Sequence, residues 1–196
     1  TPTIGSDMEV LASFPGGGAI QQTGWLSAQQ GWLVTGGKLY LTQDGGASWL
    51  EQGLPGIQRL SFLADGSAWA AGSGMLYRRE AGQAGWQAAA LPEEVSGWQV
   101  LQVGYQDLQT GWLVLQMPTS TIFSIARLLR TSDGGLSWQL SDLPFASEVV
   151  WTGAAAGWIS GGISGRELYR TLDGGQSWQE AALPGSLADV KAPLFL

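Results

Sequence analysis

The feature that most limits how this chain can fold is an octet that occurs three times: Thr42-Gln-Asp-Gly-Gly-Ala-Ser-Trp49, Thr131-Ser-Asp-Gly-Gly-Leu-Ser-Trp138 and Thr171-Leu-Asp-Gly-Gly-Gln-Ser-Trp178. Six of its eight positions never vary. An apolar run precedes each copy (Lys38 to Leu41, Ala126 to Arg130, Glu167 to Arg170), and a segment ending in Leu-Pro follows each (Leu54-Pro55, Leu143-Pro144, Leu183-Pro184). Asp-Gly-Gly between two apolar runs is hairpin chemistry. The glycines take positive φ, and the carboxylate accepts backbone N–H bonds two or three residues further on, at donors expected to be buried. The Thr and Ser hydroxyls satisfy remaining backbone groups, and the Trp folds back over the turn as an apolar plug. Thr42, Asp44, Gly46 and Trp49, Thr131, Asp133, Gly135 and Trp138, and Thr171, Asp173, Gly175 and Trp178 are therefore read as structural fasteners.

Around the octets the apolar runs order themselves into units of four short strands. The first unit uses Trp25-Leu26, Gly31 to Thr35, Lys38 to Leu41 and Trp49 to Leu54. The second uses Ile57 to Leu63, Ser67 to Ala71, Met75 to Arg78 and Trp86 to Leu91. Gln99 to Gly104, Gly111 to Leu115, Ile125 to Arg130 and Trp138 to Leu143 make the third. Glu148 to Thr152, Gly157 to Ser160, Glu167 to Arg170 and Trp178 to Leu183 make the fourth. The second octet has decayed to Arg79-Glu-Ala-Gly-Gln-Ala-Gly-Trp86, for which a looser turn with incomplete hydrogen bonding is expected. Four antiparallel strands per repeat of roughly 40 residues predict an all-β fold, a β-propeller. The expected blades cover about 19–55, 56–92, 93–144 and 145–184 of a single domain over 1–196, with partial strands at 8–15 and 188–196. That count predicts an incomplete or open propeller, whose unpaired blade edges invite self-association.

Composition agrees and narrows the chemistry. Thirty glycines and eleven tryptophans mean many tight turns and many flat rings to bury between them. Sixteen acidic residues against nine basic ones, a net charge of -7, argue against a nucleic-acid partner, which needs clustered positive charge. The chain has no Cys and no His, which removes thiol nucleophiles, the usual zinc sets and imidazole acid–base chemistry together. No apolar run of membrane-spanning length occurs, and Thr1 to Asp7 has neither the basic nor the apolar region of a signal peptide. A calcium loop needs several converging oxygens, and each octet offers one carboxylate, so no metal or other cofactor is implied.

The pattern Ser/Thr-x-Asp-x-Gly-x-Ser/Thr-Trp is the Asp-box, or BNR repeat, of sialidases, some glycoside hydrolases and sortilin-type receptors. The fuller wording Leu-Tyr-Arg-Thr-x-Asp-Gly-Gly-x-Ser-Trp, at 168–178, with Gly-Trp about twenty residues earlier, most resembles the photosystem II stability and assembly factor family and its bacterial relatives. That resemblance implies a seven-bladed propeller, exported and so periplasmic or lumenal, acting as a non-catalytic assembly factor that binds a protein or peptide. It also implies that the octets are structural.

Arg78, Arg130 and Arg170 share one position on the third strand of successive units. They are either structural or aligned into a positive stripe that receives an acidic or C-terminal carboxylate peptide. A sialidase-like reading needs an arginine cluster and a Phe/Tyr-Arg-Ile-Pro segment, and the latter is missing. A two-carboxylate glycosidase would draw on Asp65, Glu94, Asp107, Glu148 and Glu167, for which surface solvation is the default and turn chemistry explains Asp107. Trp98 and Trp151 are candidates to stack on a sugar. The third unit carries an insertion, since Trp112 and Trp138 stand 26 apart where Trp32 and Trp49 stand 17 apart. It falls at Gln116 to Ser124, between second and third strands and so at the end opposite the octets. Met117, Ile122 and Phe123 are its candidate partner contacts. The leading expectation is a non-enzymatic protein-binding module, and the alternative is a fragment of a glycan-binding or glycan-cleaving propeller.

Overall fold

The computed structural model of the chain describes residues 18–72, 74–119 and 124–182. The expected partial strands at 8–15 and 188–196 lie outside them. Contacts divide the chain into two compact units, Thr1–Ile57 and Gln58–Leu196.

The first unit is one antiparallel sheet in the order β1 (Ile20–Trp25), β2 (Gly31–Thr35), β3 (Lys38–Thr42), β4 (Leu50–Glu51). Gly36 and Gly37 join β2 to β3 with φ of 56° and 74°, pairing Thr35 with Lys38. Two positive φ angles in a two-residue loop match the right-handed twist of the strands, which is why Gly-Gly stands there. β2 is buried at every residue, whereas β4 is exposed. The first strand ends at Trp25 and does not include Leu26, because the Leu26 and Ser27 N–H groups turn back onto the Gln30 carbonyl.

The second unit holds three such sheets, each in chain order. The second blade is β5 (Arg59–Phe62), β6 (Ala68–Gly72), β7 (Met75–Arg79) and β8 (Gln87–Ala90). The third is β9 (Gln99–Tyr105), β10 (Gly111–Pro118), β11 (Ser124–Thr131) and β12 (Gln139–Asp142). The fourth is β13 (Val149–Trp151), β14 (Gly157–Gly161), β15 (Glu167–Thr171) and β16 (Gln179–Glu180). The fourth strands are the shortest part of the expected pattern, with two to four residues each, and they are largely exposed.

Alternation along the middle strands explains how the blades pack. In the third blade Leu113, Leu115 and Leu129 join a core with Trp69, Ala71 and Leu76 of the second. Their neighbours Val114, Ala126 and Leu128 join a second core with Val149 and Ile159 of the fourth. Both faces of β10 and β11 are therefore covered, and the sequence reads as a continuous apolar run. Turns between first and second strands are closed by one short polar side chain each. Ser27 Oγ accepts from the Gln29 and Gln30 N–H groups, Asp65 Oδ1 from Ser67, and Asp107 Oδ1 from Gln109 and Thr110.

The insertion in the third blade lengthens strands more than it builds a loop. β10 and β11 pair continuously from Gly111 with Thr131 to Pro118 with Ser124, so Gln116 and Met117 belong to the ladder.

Candidate functional site

The three octets share one set of bonds, to which the second and third add an N–H from Leu136 or Gln176 to Oδ1 of the aspartate. The Thr hydroxyl donates to Oδ1 of its Asp at 2.8, 2.7 and 2.8 Å and accepts the N–H of the second glycine at 2.9, 2.9 and 2.7 Å. The same Asp Oδ1 accepts the Ser N–H four residues on, and Oδ2 accepts the Ser hydroxyl. The buried donor, the second glycine's N–H, is satisfied by the Thr, while the aspartate's bonds from the Ser are exposed and its bond from the Thr is part-buried. This corrects the sequence-based assignment, which gave buried donors to the carboxylate: the aspartate's task is to orient the Thr hydroxyl from outside. The Ser hydroxyls likewise bond the carboxylate and not the backbone. The Ser hydroxyl, the Ser N–H and the Thr hydroxyl together pull Asp44 down to about 2, and the same three hold Asp133 and Asp173 well below the usual carboxylate range. The first glycine's N–H clips each octet to the carbonyl of Gln29, Gln109 or Ala155 in the turn between first and second strands.

Each octet of the second unit also receives the preceding blade. A Cβ at Gly135 would sit 2.6 Å from Leu76 Cδ2 and 3.2 Å from Trp138 Cζ2, and one at Gly175 would collide with Leu128 Cδ2. At Gly134 and Gly174 a Cβ would run into Nη1 of Arg78 and of Arg130. Glycine is therefore required twice over, by φ angles of 72° to 86° and by what presses on the backbone. Arg130 donates from Nη1 to the Gly174 carbonyl at 3.0 Å and from Nη2 to the Ala154 carbonyl at 2.9 Å, and its Cζ lies 4.7 Å above the Trp151 ring. Burial lowers its pKa. Rings complete the seam: Trp69 stacks on Tyr105 at 5.3 Å, and Trp112 meets Trp151 edge-on at 5.9 Å.

Arg78 and Arg130 thus press on the next blade, which agrees with the structural arm of the two readings. Arg78 also borders a cleft of about 180 Å³ with Glu80, Gln87 and Asp133. Arg170 is exposed. In the decayed second octet Arg79 replaces the Thr, and its guanidinium lies 5.2 Å from the Phe62 ring and 5.3 Å from the Trp86 ring. Cation and rings replace the hydroxyl–carboxylate pair there.

The expected sugar platforms are not available. Trp98 is buried beneath Arg127, and Trp151 is covered by Arg130 and Trp112. Asp65 and Asp107 are engaged in turns, and Glu167 folds over Gly162. Among the described residues no three His, Cys, Asp or Glu side chains gather as a metal ion would require, and no helix is long and apolar enough to cross a membrane.

At the end opposite the octets the long hairpin exposes Met117 (37%) directly across the ladder from Ile125 (49%). Ile122 and Phe123 lie outside the described residues. Ile163, in the corresponding turn of the fourth blade, is also exposed. Sequence reasoning did not single out Ile125, which it placed at the start of a third strand, and did not consider Ile163. Their position at or beside a second-to-third-strand connection was the available signal.

No protein-family model matches the sequence, and no curated protein matches it either. Solved structures do. YCF48 bound to D1 peptide matches at 17% identity with a TM-score of 0.61, over 89% of this chain and 56% of that one. YCF48 from Cyanidioschyzon merolae matches at 17% and 0.56, over 87% and 58%, and an ancestral GH74 enzyme at 16% and 0.59, over 86% and 25%. The chain spans a little over half the length of the YCF48 chains it matches. At these identities the likeness shows the fold: the four-stranded antiparallel sheets are blades of an incomplete β-propeller.

Proposed function

We propose that this chain is a non-enzymatic binding module that takes a protein or peptide segment on the end of the second unit opposite the octets. The observation that carries the reading is the exposed apolar pair Met117 and Ile125 near the tip of the hairpin that most outgrows its repeat. An apolar pair held on a rigid ladder offers area for an extended or helical peptide without ordering a loop on binding. The octets, by contrast, have their carboxylates, hydroxyls and glycines engaged within the fold. The likeness to YCF48 with its bound D1 peptide supports a peptide ligand at the level of fold. An exported, periplasmic or lumenal location belongs to the same reading.

A peptide library displayed on phage and selected against the chain tests this. Selected peptides, remeasured by fluorescence anisotropy, are expected to lose at least about tenfold in affinity, or about 1.4 kcal/mol, against a Met117→Asp/Ile125→Asp variant. Equal binding to the variant would refute the surface. The alternative, a glycan-binding or glycan-cleaving propeller, draws on the GH74 likeness as fold. Glycan-array binding or glycan hydrolysis, with no peptide enriched, would favour it.

A further inference from the structure

Within the second unit, the seam between second and third blades repeats the one between third and fourth, and four of its exchanges gather in one place. Arg78 stands across the ladder from Gln87 as Arg130 stands from Gln139, and Asp133 has its counterpart in Asp173. Two residues beyond the arginine, Glu80 replaces Ser132. In the turn to which the octet is clipped, Leu108 and Gln109 replace Ala154 and Ala155, and in the octet itself Leu136 replaces Gln176. All four exchanged residues line the cleft of about 180 Å³ that Arg78 borders.

At this seam the arginine is left unspent. Arg130 donates to the Gly174 and Ala154 carbonyls. Arg78 lies against Gly134 but makes no hydrogen bond or ion pair among the described residues, and its Nε is buried without a partner. A half-buried guanidinium with open donors favours a carboxylate, which it can take in two parallel bonds. Opposite charge stands beside it. Glu80 is exposed and its carboxylate is engaged by no described residue. Asp133 keeps its negative charge although Thr131 and Ser137 occupy its two oxygens. A simple anion in the cleft would meet those two carboxylates, and a simple cation would meet the guanidinium. A small group carrying both charges is complementary to both. Next to these charges Leu108 is half-buried and Leu136 is 79% exposed, an apolar wall where the sister seam has Ala154 and Gln176.

We propose that this cleft binds a free α-amino acid with an aliphatic side chain, its carboxylate on Arg78, its ammonium toward Glu80 and Asp133, and its side chain along Leu108 and Leu136. The cleft lies at the octet end of the two blades, so the site is independent of the peptide-binding reading at the opposite end.

Isothermal titration of the whole chain with L-leucine tests it. Saturable binding in the millimolar range or tighter is expected. N-acetyl-L-leucine lacks the ammonium, L-leucinamide lacks the carboxylate and glycine lacks the side chain, and each should bind at least about tenfold more weakly. The double variant Glu80→Ser/Leu136→Gln puts the sister seam's residues at two exposed positions. It should keep the melting temperature and lose at least about tenfold in affinity for leucine. Absence of saturable heat with leucine overturns the proposal. So does a double variant that binds leucine unchanged. N-acetyl-L-leucine binding as tightly as leucine overturns it too, since the ammonium would then go unread and the cleft would suit a peptide terminus.

Discussion

Substituting Gly175 by Ala separates backbone strain from collision at the seam between third and fourth blades. Gly175 has φ of 86°, and its added Cβ would meet Leu128 Cδ2 head-on, with Trp151 Cη2 3.5 Å and Trp178 Cζ2 3.6 Å away. The left-handed backbone accounts for about 1–2 kcal/mol, and overpacking against a wholly buried leucine for about 1–3 kcal/mol. The expected loss is therefore about 2–5 kcal/mol. Gly165 is the control: its φ is 68° but nothing lies within 4 Å of a Cβ there, so Gly165→Ala should lose only the strain. Leu128→Ala alone should lose about 2–5 kcal/mol, since the side chain is fully buried in the second core. In the double variant the new methyl enters space the leucine has left. The two losses should then fall short of their sum by about 1–3 kcal/mol. Guanidinium unfolding followed by tryptophan fluorescence, with all four proteins compared at one pH, gives the cycle. Additivity within about 0.5 kcal/mol would refute the idea that Leu128 sits on the octet glycine.

Thr131→Val leaves the buried Gly135 N–H without its acceptor and should destabilise by about 1–3 kcal/mol, whereas Thr131→Ser should be nearly neutral; thermal unfolding distinguishes them. The octet carboxylates are held low in the folded chain, so their stabilising effect is complete above the unfolded carboxylate value of about 3.9 and is lost as pH falls through the folded values, about 2 for Asp44. Stability measured by urea unfolding should therefore decline between about pH 4 and pH 2, and Asp44→Asn should flatten that decline. Arg130→Met removes two bonds to carbonyls and the cation above Trp151 and should lose about 1–3 kcal/mol, with Arg130→Lys recovering less than half because an ammonium cannot span both carbonyls.

Among the described residues the four-stranded sheets and their chain order were legible in the sequence, because each rests on neighbours a few residues apart, whereas the first strand was displaced: it runs over Ile20–Trp25, and Leu26 belongs to the turn. The octet's chemistry was half legible. Asp133 and Thr131 identified a locked turn, but both can accept an N–H, and the sequence did not tell which of them served the buried one. The seams were not legible. Leu128 and Gly175 stand 47 positions apart, Arg130 and Gly174 stand 44 apart, and a repeat read one unit at a time shows each octet as closed on itself. For the same reason the repeated arginine was left between a structural role and a surface stripe, and Trp98 looked exposed. Sequence spacing located the insertion between Trp112 and Trp138 but could not tell a floppy loop from eight rungs of ladder, since Gln116 and Met117 suit either.

The clamp on Gly174 and Ala154 reads main-chain carbonyls, one in the octet and one in the turn between β13 and β14, so the bonds themselves ask for a backbone shape and not for particular side chains at those two positions. A gene segment encoding one such unit, copied in tandem, yields a product that already fits its parent, with no compensating change at the junction. Each copy then has to keep its own Trp, Leu and Arg on one side and its aromatic residue and octet glycines on the other, so a duplication is a folding event before it is a functional one.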